Sequence, residues 1–268
     1  MQPESAAVGL IIVAAGSGRR LGADVPKAFV PLAGVPILGH AVRGALSCAD
    51  VREVVVVAPE GWLDDADTVC RWARSQPDPR SQPPSAQPTS SQPPSAPSKE
   101  QLSGDLASPS KERPLGARVT VVAGGAERGD SVAAGLAVMS AEVGIVLVHD
   151  AARCLTPPEV FERVIGAIRA GAVAVVPGVA VVDTVKQVDE SGRVVGTPDR
   201  SLLRAVQTPQ GFRRDVLERA HEVSSDATDD AGLVERLGEP VIVVEGDALA
   251  LKITTGDDLA RAARLLSD

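Results

Sequence analysis

Apolar residues along the chain follow two periods. Leu10–Ala14, Glu53–Ala58, Val119–Ala123, Ile145–His149, Ala172–Val176 and Val241–Glu245 are short β-branched runs with little polar alternation, as in strands covered on both faces. Between them, Ile37–Ser47, Leu63–Arg74, Ser131–Ser140 and Pro158–Ala170 place apolar residues at helical spacing, and Asp257–Leu266 closes the chain the same way. This alternation predicts an α/β fold with a mostly parallel sheet, crossover helices, and ligands at the carboxyl ends of the strands. One segment departs from it. Val181–Val188 and Arg193–Thr197 are strand-like around Asp189-Glu190-Ser191-Gly192, which predicts a β-arm over 179–203. A two-stranded arm is marginal alone and must lie on something, either its own domain or a second subunit.

The pattern is interrupted over 75–114, where 10 of the 21 prolines fall and Ser-Gln-Pro-Pro-Ser-Ala occurs at 81–86 and again at 91–96. Such a polar, proline-rich repeat cannot bury a core, so it is expected to be a disordered insert in one domain spanning 1–268. Composition adds two constraints. With three Phe, two Trp and no Tyr, the core must be aliphatic. A net charge of −8 argues against nucleic acid, whose partners carry a basic surplus. The N-terminus lacks a basic, signal-like start, and the apolar run 172–182 is broken by Pro177 and Gly178, so neither secretion nor a membrane span is expected. The cytoplasm is the expected location. Cys48, Cys70 and Cys154 have no metal-ligand spacing and are expected to be small buried hydrophobes.

The candidate chemistry lies in loops that follow predicted strands. Ala14-Ala15-Gly16-Ser17-Gly18-Arg19-Arg20-Leu21-Gly22 ends the first strand and leads to Pro26-Lys27. A dinucleotide fingerprint would need glycine in place of Leu21, and a P-loop would need Ser or Thr after the lysine, so neither applies. What remains is a glycine turn carrying Arg19, Arg20 and Lys27, which suits a triphosphate. Gly124-Gly125-Ala126-Glu127-Arg128-Gly129-Asp130-Ser131 follows the third strand, and its glycine pair and Ser131 can face a base or ribose. Gly129 to Ala133 falls one glycine short of a nucleophile elbow. His149-Asp150-Ala151-Ala152-Arg153 ends the fourth strand, where Asp150 suits a metal or hydroxyls and Arg153 a phosphate. His149 itself is expected to be a core histidine. The chain carries 22 Arg and only five Lys. Outside the insert the lysines are Lys27, Lys186 and Lys252, all at or near strand ends or loops.

Taken in order, these motifs resemble the 2-C-methyl-D-erythritol 4-phosphate cytidylyltransferases. Asp183-Thr184-Val185-Lys186, Arg200, Gln207-Thr208-Pro209-Gln210, Thr228-Asp229-Asp230-Ala231 and Leu251-Lys252-Ile253-Thr254 extend the match over nearly all of the chain outside the insert. The resemblance implies a Rossmann-like nucleotidyltransferase fold with a protruding β-arm. It implies transfer of CMP from CTP to methylerythritol 4-phosphate, with release of pyrophosphate, in non-mevalonate isoprenoid synthesis. Mg²⁺ or another divalent cation would be bound mainly through the CTP phosphates, and a homodimer is implied. Ala14, Ala15, Gly16, Gly18, Gly125 and Ser131 would frame the nucleotide, and Arg20 and Lys27 would act on the triphosphate. Asp150, Arg153, Thr208 and Lys252 would surround the acceptor, with Thr184, Arg200 and Thr228 entering from the other subunit. The insert departs from the family pattern. Two alternatives are CMP transfer to another polyol phosphate, such as ribitol 5-phosphate, and a non-catalytic nucleotide-binding protein of the same fold.

Overall fold

The computed structural model describes residues 6–16, 24–76, 117–223 and 229–267. Gly18, Arg19, Arg20, Thr228 and the expected insert beyond Gln76 lie outside the described residues. Strand β1 (Ala7–Val13) is followed by a short turn at Lys27–Phe29, the small ribbon β2 (Pro31–Leu32) and β3 (Val35–Pro36), and α1 (Ile37–Ser47). Next come β4 (Val51–Ala58), α2 (Leu63–Ser75), β5 (Arg118–Ala123), α3 (Arg128–Val138), β6 (Val143–Asp150), α4 (Pro158–Arg169) and β7 (Ala174–Ala180). The chain then forms β8 (Gln187–Val188), β9 (Val194–Gly196), β10 (Arg204–Val206) and β11 (Gln210–Arg213). It ends with α5 (Arg214–Val223), α6 (Asp230–Arg236), β12 (Val241–Glu245) and α7 (Gly256–Ser267).

Eight of these strands form one sheet, ordered β12-β7-β11-β6-β1-β4-β5, with β10 continuing the line of β11 along β7. Pairings among β1, β4, β5 and β6 are parallel, as is β7 with β12, whereas β10 and β11 run antiparallel to their neighbours. Alternate residues of each central strand enter opposite cores. Leu10, Ile12, Val54, Val56, Ile145 and Leu147 belong to one, while Ile11, Val55, Val57, Val146 and Val148 belong to the other. Burial of both faces explains why these strands read as continuous apolar runs. From β1 the order steps through β4 to β5 on one side, and β6 then returns to the other side. The crevice between β1 and β6 is therefore the switch point at which ligands bind in open α/β sheets.

The sequence-predicted elements are present with shifted ends. Helix α3 starts at Arg128, before the expected Ser131, because the Glu127 N–H donates to Asp130 Oδ2 at 3.1 Å and secures an earlier first turn. Ser75, expected in the insert, closes α2. Strand β7 extends past Pro177 to Ala180, so residues 179 and 180, expected in the arm, belong to the sheet. Proline is tolerated there because it falls between the residues paired with β11 and those paired with β10, where the ladder already breaks. The long arm strand expected at Val181–Val188 shrinks to Gln187–Val188, and Arg193–Thr197 shrinks to Val194–Gly196. The turn between them is as expected: Asp189 Oδ1 accepts from the N–H groups of Ser191 and Arg193, both at 3.0 Å, and Gly192 takes φ 80°.

Candidate functional site

At the switch point the parallel register places Val13 beside Asp150. The loops leaving β1 and β6 at their carboxyl ends thus meet. They enclose a cleft of about 220 Å³ lined by Ala14, Ala15 and Gly16 from the first loop, and by Gly125, Arg128 and Ser131 from the loop into α3. Its other wall carries Lys27, Asp150 and Lys252. Gly125 is required by packing, since a Cβ there would lie 2.2 Å from the Asp130 Cβ. Ser131 is buried, and its hydroxyl donates to the Glu127 carbonyl at 3.1 Å.

Asp150 is the electrostatic centre of the cleft. Its Oδ2 lies 2.7 Å from Lys252 Nζ and 4.0 Å from Arg153 Nε, and its Oδ1 lies 3.8 Å from Arg128 Nε. Burial works to raise the Asp150 carboxyl, but the Lys252 and Arg128 cations outweigh it and hold it below the usual carboxylate range. The Asp150 N–H donates to Thr208 Oγ1 at 3.0 Å, which ties the end of β6 to the turn before β11. Lys27, on the turn after the first loop, donates from Nζ to the Ile253 carbonyl at 3.1 Å. Lys27 and Lys252 are therefore brought to one wall from opposite ends of the chain.

The structure thus unites eight of the expected residues in one cleft: Ala14, Ala15, Gly16, Lys27, Gly125, Ser131, Asp150 and Lys252. Arg153 and Thr208 stand behind Asp150. Arg153 is engaged by carbonyls, donating from Nη1 to Ala250 O at 2.7 Å and from Nη2 to Val206 O at 3.1 Å. Thr184 and Arg200 lie on the exposed arm and do not line this cleft. Lys186, also on the arm, donates to Thr197 Oγ1 at 2.8 Å.

Arg128 also lines the cleft, although no role was assigned to it from sequence. Its Nη1 bonds the fully buried Asp230 at 2.6 Å, and Asp230 also faces His221 Nε2 at 3.1 Å. Arg128 sits inside the glycine motif, but its partners lie far along the chain, so no local signal revealed them.

His149 and the cysteines occupy the core, as expected. Cys48, Cys70 and Cys154 are free and buried. His149 is 1% exposed and packs on Phe161, with ring centroids 5.1 Å apart. Burial pushes its imidazole down to about 4, whereas an unfolded histidine titrates near about 6.5. Between these values the unfolded chain takes up a proton that the folded chain refuses, so stability falls as pH drops from the higher to the lower. At pH 5 the loss should be about 2 kcal/mol relative to neutrality. Urea unfolding at pH 7 and pH 5 measures it, and His149→Leu should remove that part of the dependence. A variant that kept the full pH slope would show the imidazole does not carry it.

Fold and cleft together define an α/β nucleotide-binding enzyme with its ligand site at the sheet's switch point. The family model described as 2-C-methyl-D-erythritol 4-phosphate cytidylyltransferase matches residues 8–72 and 93–268. The break in that match falls largely within the proline-rich segment. The chain is 47% identical over 256 residues to the 2-C-methyl-D-erythritol 4-phosphate cytidylyltransferase of Nocardia farcinica, covering 96% of this chain and 92% of the relative. It is 47% identical over 261 residues to that of Saccharopolyspora erythraea, covering 96% and 98%. A crystal structure of the 2-C-methyl-D-erythritol 4-phosphate cytidylyltransferase of Thermus thermophilus superposes with a TM-score of 0.64 at 30% identity, over 95% of this chain and 97% of that one. The chain belongs to the 2-C-methyl-D-erythritol 4-phosphate cytidylyltransferase family.

Proposed function

We propose that the protein transfers CMP from CTP to 2-C-methyl-D-erythritol 4-phosphate, a step of isoprenoid synthesis. The observation that carries this reading is the cleft itself, where the glycine loops of a nucleotide site face the Lys27, Asp150 and Lys252 wall. An oxygen of the acceptor phosphate forms the new bond to the α-phosphorus of CTP. The bond from that phosphorus to the bridging oxygen breaks, and pyrophosphate leaves with the electron pair. A phosphate monoester has its second pKa near about 6, so the acceptor is already ionised and no general base is required. The protein's task is to align two anions and offset their repulsion.

In this scheme Ala14, Ala15, Gly16, Gly18, Gly125 and Ser131 hold the cytidine. Arg20 and Lys27 stabilise charge on the phosphates in the transition state. Asp150, Arg153, Thr208 and Lys252 form the acceptor side. Mg²⁺ would be carried in with CTP, held by the triphosphate oxygens and offsetting their charge. Among the described residues no group of three His, Cys, Asp or Glu is placed to hold a metal ion. Asp150, kept ionised, is the side chain on the acceptor wall suited to such a cation.

Thr184, Arg200 and Thr228 would reach the site of a second copy. Support comes from the arm, where Val182 is 80% and Leu202 81% exposed although both are large and apolar. The protein would then act as a homodimer in the cytoplasm. Among the described residues no helix is long and apolar enough to cross a membrane.

Pyrophosphate release tests the reaction. It should be fast with CTP and methylerythritol phosphate and slow with ATP, GTP or ribitol 5-phosphate. Ribitol 5-phosphate acting as the better acceptor would overturn the assignment. For the dimer, mixing inactive Lys27→Ala and Arg200→Ala chains should restore roughly a quarter of wild-type turnover, because one site in each mixed dimer is intact. No recovery after subunit exchange would place Arg200 outside the partner's site.

A further inference from the structure

Two loops carry the acceptor wall, and no strand pairing joins them. One, after β10, holds Thr208. The other, after β12, holds Lys252. They leave the sheet on opposite sides of β7, where Gly178 pairs with Val206 on one edge and with Glu245 on the other. Besides Arg153, whose guanidinium donates to the Ala250 and Val206 carbonyls, a second side chain spans the gap. Gln207 Nε2 donates to the Asp247 carbonyl at 2.7 Å, and the Asp247 N–H donates back to Gln207 Oε1 at 2.9 Å. Gln207 is 6% exposed. Its own N–H bonds the Pro177 carbonyl at 2.8 Å, and the Gly246 N–H bonds the Gly178 carbonyl at 3.0 Å, so both loops are pinned to β7 beneath the amide. A Cβ at Gly246 would lie 2.3 Å from Gln207 Oε1, so a side chain there would push the amide out of its place.

Both loops converge on Asp150. Thr208 receives the Asp150 N–H, and Lys252 pairs with the Asp150 carboxylate, so the two loops grip one residue at its backbone and at its side chain. The spacing between those grips depends on how the loops are held together. Asp247 also begins the turn that delivers Lys252, its Oδ1 accepting the Leu249 N–H at 2.7 Å. A two-point amide bond fixes both distance and orientation, which a single contact does not.

We infer that Gln207 is a positioning residue that locks the Thr208 and Lys252 loops into one acceptor-binding wall, and that Gly246 is glycine to admit its amide. This rests on the reading that Lys252 and Thr208 serve the acceptor phosphate. The cytidine side of the cleft is built from other loops and should not depend on the lock.

Two variants test the lock. Gln207→Glu keeps the size and the bond from the Asp247 N–H but sets a carboxylate oxygen against the Asp247 carbonyl. Gly246→Ala keeps Gln207 but displaces its amide. Each should lower kcat/KM for methylerythritol phosphate by roughly ten- to a hundredfold, while CTP affinity measured by calorimetry without acceptor stays within about twofold. Because both break the same contact, the double variant should be no worse than the poorer single one. Additive losses, CTP affinity falling in parallel, unchanged acceptor kinetics in folded variants, or failure of both variants to fold would each overturn the assignment. The acceptor reading fails separately, if wild-type protein does not use methylerythritol phosphate at all.

Discussion

Replacing Lys27 by alanine should lower turnover by about a thousandfold while lowering the thermal midpoint by only about 2–4 °C. The reaction brings a phosphate monoester against a triphosphate, and removing one well-placed positive donor from such a transition state costs about two to three orders of magnitude in rate. Lys27 makes a small structural contribution by comparison. It lies on a three-residue turn, is only part-buried, and donates a bond of 3.1 Å to the Ile253 carbonyl. Loss of an ordinary hydrogen bond is worth about 1 kcal/mol. Lys27→Arg should recover little, because a planar guanidinium does not reproduce a compact ammonium at the same point. Pyrophosphate-release kinetics and a melting curve decide the matter. Near-normal kcat in folded Lys27→Ala would remove Lys27 from catalysis.

Asp150→Asn should damage stability and activity together. The carboxylate stands among Lys252, Arg128 and Arg153 at 2.7, 3.8 and 4.0 Å. Asparagine keeps the shape but leaves three positive groups facing one another. The lost charged hydrogen bond is worth about 2 kcal/mol, and the high exposure of Lys252 keeps the figure from being larger. Turnover should fall by about a hundredfold, because Lys252 is no longer aimed. The pH dependence has a definite sign. Asp150 is held below the usual carboxylate range, so its contribution is complete above the ordinary value and disappears as pH falls through the lowered one. Urea unfolding should show wild type converging on Asp150→Asn at strongly acid pH. A constant difference between the two across the acid range would show that the carboxylate's charge is not what stabilises the fold.

These two residues differ in how they can be read. Lys27 is legible in the sequence, since a scarce lysine after a glycine turn invites a phosphate. Asp150 is legible as a candidate for a metal or hydroxyls at the end of a buried strand, but its grip on three cations appears only once β6, α3 and the β12–α7 loop are assembled. Arg128 is a sharper case. Its motif is plain, yet its tie to buried Asp230 and His221 joins three separate elements. The same holds for the two antiparallel strands β10 and β11. Gln207-Thr208-Pro209-Gln210 is legible as part of the family motif, but the pairing of the strands around it with β6 and β7 is a non-local event.

The amino-acid sequence by itself determined the alternation of strands and helices, the aliphatic core, and the placement of two glycine loops and an Asp-Arg motif at strand ends. Those features are local, set by side-chain periodicity and by backbone freedom over a few residues. Tertiary structure alone decided the order of the sheet and hence which loops meet at the β1/β6 crevice. It also decided that Lys27 and Lys252 share a wall, that Arg128 is held by a buried carboxylate, and that one glutamine amide joins the two acceptor loops. Each of these depends on contacts between residues far apart in the chain. Their distances are set by packing against a common sheet, which no spacing along the sequence encodes.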